Sequence, residues 1–191
     1  MRKKLSDMSL EELWELFPVF LTGHQECWEE WYREEEQMLG KALEGAGIVR
    51  ISHLGSTAVE TIWAKPIVDI LVEVSGESGF AEPERRLLDC GYRCMSRGEQ
   101  RFSFNKGYTE AGFAEKVFHL HLRCEGDNDE LYFRDYLRLH DDTAREYERL
   151  KFKLWEKYEH NRDAYTSAKT EFVSRYTERA KREFGPQRSA L

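Results

Sequence analysis

His53-Leu54-Gly55-Ser56-Thr57-Ala58-Val59 is followed by the run Ile67-Val68-Asp69-Ile70-Leu71-Val72-Glu73. The first stretch reads as the end of a strand, a Gly-Ser turn and the start of a short helix capped by Ser56 or Thr57. The second reads as a strand covered on at least one face, because it is almost continuously apolar. Side chains alternate along a strand, so Asp69, Leu71 and Glu73 share one face and Ile70 and Val72 the other. A carboxylate inside an apolar strand is costly unless it is paired or binds a metal. Exposed N–H groups at a helix start bind anions, and glycine allows close approach. Gly55 and Ser56 are therefore candidate phosphate ligands and Asp69 a candidate catalytic and metal-binding acid. Glu73, nearer the strand end, reads as solvated.

Upstream, Ser9 with Glu12 forms a capping box for a helix over residues 10–17, stopped by Pro18. Trp28, Trp31, Tyr32, Glu35, Met38 and Leu39 recur at helical spacing and predict a longer helix over residues 24–43. Residues 48–54 alternate as a strand. Downstream, Pro83 opens a helix over 84–89, and a strand lies near 92–95. Residues 101–105 and 117–123 alternate as half-buried strands, paired antiparallel across a loop over 107–112. From Asp127 onward the pattern is helical. Asp127 or Asn128, Asp141 or Asp142, and Asn161 cap three successive helices. The expected architecture is α/β (α+β): a mixed sheet with packed helices and a helical C-terminal third. Residues 1–19 form a helical extension, 20–182 the domain and 183–191 a frayed tail.

With 191 residues the chain is one domain's length, and its 34% charged content fits helix surfaces over a core that is 40% hydrophobic. The net charge is −7, concentrated in residues 1–46, which hold 11 acids and 5 bases. No basic patch suits a nucleic-acid backbone. No run approaches the ~20 apolar residues that span a bilayer. Cys27, Cys90, Cys94 and Cys124 show no zinc spacing and read as free thiols, which places the protein in the reducing cytoplasm.

Other candidates complete the site. His119 and His121 point the same way from their strand, and two imidazoles at that spacing ligate a metal or contact phosphate. Arg101 faces them from the paired strand. Arg134 lies with Asp135 and Arg138 on one face of its helix, either as a solvated face or reaching over the sheet to a phosphate. Lys65 is an exposed turn lysine or a phosphate contact. Lys151 and Lys169 flank apolar stripes and read as snorkelling. His53 fixes the turn.

Through residues 53–59, 64–72, His119-Leu120-His121, residues 133–138 and the late Tyr147, Lys151, Tyr165 and Lys169, the chain resembles the GrpB family. That family is an uncharacterised group placed in the nucleotidyltransferase fold of DNA polymerase beta-like enzymes. The resemblance implies that fold, a nucleotide-like or other small anionic ligand, a divalent metal (Mg, Mn or Zn), and nucleotidyl or phosphoryl transfer. It equally admits a non-catalytic ligand-binding or interaction module. Nucleotidyltransferases carry a second acid two residues after the first, where this chain has Leu71, and a later acid where it offers His119 and His121. Glu60 stands where the GrpB pattern usually has proline. These departures imply no robust Mg²⁺-dependent nucleotidyl transfer.

Overall fold

The computed structural model describes residues 3–76 and 79–185. Five strands form one mixed sheet: β1 (Ile48–Leu54), β2 (Val68–Val74), β3 (Arg93–Arg97), β4 (Arg101–Thr109) and β5 (Gly112–Cys124), in the order β1-β2-β5-β4-β3. The central β2–β5 pair is parallel, and the other pairs are antiparallel. One face of the sheet, carrying Val68, Ile70, Val72, Phe104, Leu120 and Leu122, packs on Trp28 and Leu39 of α2 (Cys27–Ala42) and Leu87 of α3 (Ala81–Asp89). This is the main core. It explains why the aromatic stripe of α2 recurs at helical spacing.

The C-terminal helices are α4 (Asp129–Leu139), α5 (Asp141–Tyr158), α6 (Arg162–Ser167) and α7 (Thr170–Phe184). They bury a second core of Phe133, Tyr136, Tyr147, Phe172 and Tyr176 with Val59 and Ile62. Leu54, Leu71 and Leu131 join this layer to the opposite face of β1 and β2. That face otherwise carries polar rows set by the strand register. Asp69 lies level with His119 and Asn105, Leu71 with His121 and Ser103, and Glu73 with Arg123 and Arg101.

The expected mixed sheet, packed helices and helical C-terminal region are the fold observed. The N-terminal capping box of α1 (Leu10–Leu16) forms. Differences lie at turns. The turn after Gly55 makes only a 3-10 helix, Ser56–Ala58, whose N-cap is Gly55 and so has no side-chain cap, while Thr57 and Ser56 direct their hydroxyls to His53 and Lys151. The expected loop over 107–112 is mostly strand, with a bulge at Gly107. A Cβ at Gly107 would overlap the Lys116 carbonyl, so the bulge needs glycine. α3 begins at Ala81, placing Pro83 within its first turn, where its missing N–H has no intrahelical acceptor. The helix expected after Asn161 is broken in two at Ala168-Lys169. α7 continues to Phe184, into the stretch expected to fray, and residues 186–191 lie outside the described residues.

Candidate functional site

Gly55 has φ +73° and ψ −170°, a conformation that side chains avoid. A Cβ there would overlap Asp69 Oδ2, so the carboxylate lies directly on the turn. The turn is fixed from beneath. His53 Nε2 bonds Thr57 Oγ1 at 2.9 Å, and the imidazole stacks on Tyr32 at 4.6 Å. Burial pushes His53 down to about 4, so it is neutral at pH 7. Arg134 Nη1 donates to the His53 carbonyl at 2.7 Å, and Arg138 Nε to that of Ala58 at 2.8 Å.

His119 and His121 both approach the same carboxylate oxygen. His119 Nδ1 stands 3.4 Å and His121 Nε2 3.6 Å from Asp69 Oδ1. Their other nitrogens set the tautomers. Arg123 Nη2 lies 3.2 Å from His121 Nδ1. Arginine can only donate, so Nδ1 accepts and the ring proton sits on Nε2, facing Asp69. Arg162 donates to Tyr108 Oη at 2.7 Å, which directs the phenol proton to His119 Nε2, also at 2.7 Å. His119 therefore presents Nδ1–H to Asp69. Burial opposes the charge on Asp69, but the two imidazoles outweigh it and hold the acid below the usual carboxylate range. Burial also pushes His119 down, against the pull of Asp69.

In this arrangement the two imidazoles, rather than a cation, face the Asp69 carboxylate. A ligating histidine keeps its proton on the nitrogen away from the metal, whereas here both protons face Asp69. No group of three or more His, Cys, Asp and Glu among the described residues is arranged to hold a metal ion. The i+2 position is filled by buried Leu71. Glu73 is not solvated, as the sequence suggested, but buried. It pairs with Arg50 and accepts from Gly126 N at 2.8 Å and Asn128 Nδ2 at 3.0 Å.

Two lysines, Lys65 and Lys169, stand beside Asp69, and a third, Lys151, reaches the Ser56 turn. Lys65 and Lys169 lie over the Tyr165 ring, 5.4 and 4.4 Å from its centroid. Lys151 does not snorkel. It is 2% exposed, donates to Ser56 Oγ at 3.1 Å and also to the Trp63 carbonyl. Burial, with Lys169 and Arg162 adding repulsion, pushes Lys65 down to about 7 against the attraction of Asp69. Burial and Lys169 push Lys151 down to about 7. Burial pushes Lys169 down to about 8. Lys65 and Arg162 also line one end of a cleft of about 220 Å³ walled by Phe20, Pro66, Ile67 and Phe113.

The fold thus brings together Gly55, Ser56, Lys65, Asp69, His119 and His121. It does not bring Arg101, which pairs with Asp127 at 2.5 Å. Four residues separate Asn105, level with His119, from Arg101, a distance of about 13 Å along the strand. Arg134 Nη1 holds the His53 carbonyl and its Nε Asp135. Tyr108, Arg162 and Tyr165 join the site beyond the residues expected from the sequence. Arg162 carried a signal in the sequence. It follows the Asn161 cap, and a cation in the first turn of a helix opposes the helix dipole. Lys169, the N-cap of α7, does the same.

The fold and site define a mixed-sheet α/β domain with a cationic polar site on the face opposite its main core. Residues 18–179 match the family described as GrpB protein, and the chain belongs to that family. It is 35% identical over 163 residues to the glutamate-rich protein GrpB of Alkalihalophilus pseudofirmus, covering 81% of this chain and 91% of that one. It is 31% identical over 179 residues to the UPF0157 protein YqkA of Bacillus subtilis, covering 91% of this chain but only about half (51%) of YqkA. The crystal structure of conserved protein GrpB from Enterococcus faecalis superposes with a TM-score of 0.74 at 27% identity, covering 86% of this chain and 99% of that one. A likeness to the Cid1 poly(U) polymerase, with a TM-score of 0.46 at 13% identity over 78% of this chain and 46% of that one, is too distant to bear on activity. No helix among the described residues is long and apolar enough to cross a membrane.

Proposed function

We propose that the site binds a small phosphorylated ligand of nucleotide type and serves phosphoryl or nucleotidyl transfer. The observation that carries this reading is charge. Lys65 and Lys169 gather beside one carboxylate, Asp69, and each is held below its ordinary pKa chiefly by burial. Clustered ammonium groups held this way gain most from an anion that neutralises them. Ser56 Oγ adds a hydroxyl at the start of the turn, where glycine lets a phosphate approach the backbone. The N-termini of α6 and α7 carry Arg162 and Lys169, so cations and helix dipoles support the same sign of ligand.

The acid set argues against two-metal catalysis. Two cations are ordinarily clamped by bridging carboxylates, whereas Leu71 packs with Leu54 and Leu131, and Glu73 is bound to Arg50. That observation favours a second reading, ligand binding without transfer. A thermal-shift series with pyrophosphate, ADP and ATP, without added metal, tests the site. We expect stabilisation by all three, weakened in Lys65→Met and Lys169→Met. Each charge-assisted contact contributes about 1.5–3 kcal/mol, so each variant should raise Kd roughly 10- to 100-fold. A wild-type melting temperature unmoved by any of the three ligands would refute the site.

A further inference from the structure

The Ser56 hydroxyl makes contacts beyond those an anion site requires. Lys151 reaches it from α5, with Nζ 3.1 Å from Oγ and also bonded to the Trp63 carbonyl. Tyr147, one helical turn earlier on the same face of α5, lies beside Ser56. The Tyr147 ring lies 5.0 Å from Lys151 Nζ. The helix holding the pair is tied to the loop after the turn, because Glu148 accepts from Trp63 N at 2.7 Å. Lys151 and Tyr147 are buried while Ser56 is half-buried, so the hydroxyl is reachable and its partners are shielded from water. A serine becomes a nucleophile when an adjacent base takes its proton.

We propose that Ser56 is a nucleophile toward phosphorus, with Lys151 as its general base and the Tyr147 phenol packed beside both. The inference rests on the phosphate-site reading above and assigns that site a covalent step which needs no metal. Oγ attacks phosphorus, the Oγ–P bond forms as the bond to the leaving group breaks, and the leaving group departs with its electron pair. The Oγ proton passes to Lys151 Nζ and then to the leaving group or solvent. An acceptor hydroxyl cleaves the resulting phosphoester in the same way: its proton passes to Lys151, the Oγ–P bond breaks with its electron pair on Oγ, and Lys151 returns the proton to Oγ.

As an ammonium, Lys151 donates to Oγ. As a neutral amine it keeps an N–H on the Trp63 carbonyl and turns its lone pair to the hydroxyl. Burial, with Lys169 adding repulsion and Glu148 opposing, pushes Lys151 down to about 7, so the neutral form is available near neutral pH. Lys65 also feels the Lys151 charge, and Asp69 acts on the neighbouring Tyr147. These groups complete the charged surroundings of the base. Burial, reinforced by Asp69, raises the Tyr147 phenol, which therefore stays protonated and able to donate.

A fluorophosphonate is the direct probe, since fluoride leaves as Oγ bonds to phosphorus. Intact mass and peptide mapping of the wild type should show one adduct, on Ser56. The labelling rate should rise through a single deprotonation near pH 7 and level off above about pH 8. Ser56→Ala should take no label there, and Lys151→Met should slow labelling about 100-fold or more, the scale of general-base catalysis. If Lys151→Met does not fold by circular dichroism, the wild-type pH profile and Tyr147→Phe, expected to label several-fold more slowly, decide the matter. No adduct on folded wild type, or a rate independent of pH from 6 to 9, overturns the proposal. Pyrophosphate stabilisation without labelling would remove the nucleophile and leave the phosphate site standing. Labelling without that stabilisation would do the reverse.

Discussion

Lys65 stands among other cations, and its environment makes its charge costly. Burial and the neighbouring Lys169 and Arg162 push it down to about 7, far below the ordinary lysine value near 10.4. Between about pH 7 and pH 10 the folded protein therefore holds fewer protons at this site than the unfolded chain. Stability from this group rises with pH across that window, and the penalty is fully present below pH 7. Measured against Lys65→Met, the ligand-free wild type should gain melting temperature from pH 6.5 to pH 9. A difference that is flat or falls with pH would show Lys65 carrying an ordinary charge. Phosphate binding should reverse the trend, since an anion favours the charged lysines, and affinity should decline as pH rises through 7 to 8. The histidines behave differently. Their N–H groups serve Asp69, so Asp69→Asn should disturb His119 and His121 together, seen as coupled shifts of their imidazole NMR resonances. A shift confined to one ring would contradict the shared contact at Oδ1.

The Gly-Ser turn and β2 are the elements whose meaning was legible in the sequence. Alternation put Asp69, Leu71 and Glu73 on one face, and the register confirms that placement. Alternation gives direction but not length along a strand, which is why Arg101, on the correct face, lies far down β4 from His119. It also could not show that Glu73 is clamped by Arg50 from β1, because that pairing depends on which strand lies beside β2. Lys151 and Lys169 read as snorkelling in the sequence because a helical stripe says nothing about what closes over it. Only the break between α6 and α7 brings Lys169 over Tyr165. Gly55 offers the sharpest test at this scale. Gly55→Ala forces a side chain into a backbone region that glycine alone tolerates and onto the Asp69 carboxylate. Strain and overpacking together should cost about 2–4 kcal/mol, a fall in melting temperature of roughly 5–15 °C. A variant as stable as wild type would mean that the turn relaxes and the carboxylate does not rest on it.

Across the molecule, one sheet separates two tasks. The face against α2 and α3 carries the main apolar core, while the face toward α4–α7 carries the polar rows and the site. Glu73 links strand edge to helix layer by holding Arg50, the Gly126 amide and Asn128. Removing one partner of a buried ion pair costs about 3–5 kcal/mol. Glu73→Ala should therefore lower the urea midpoint with little change in slope, while ligand affinity of the folded fraction stays near wild type. Lost affinity at full folding would place Glu73 in the site after all. The most direct measurement of the central claim is isothermal titration of pyrophosphate into the protein at pH 7.5, in two buffers of different ionisation enthalpy. The account predicts binding with net proton uptake, as Lys65 and Lys169 become fully charged around the anion, and smaller uptake in Lys65→Met. Binding without proton uptake, or no binding, would contradict a phosphate site built on these lysines.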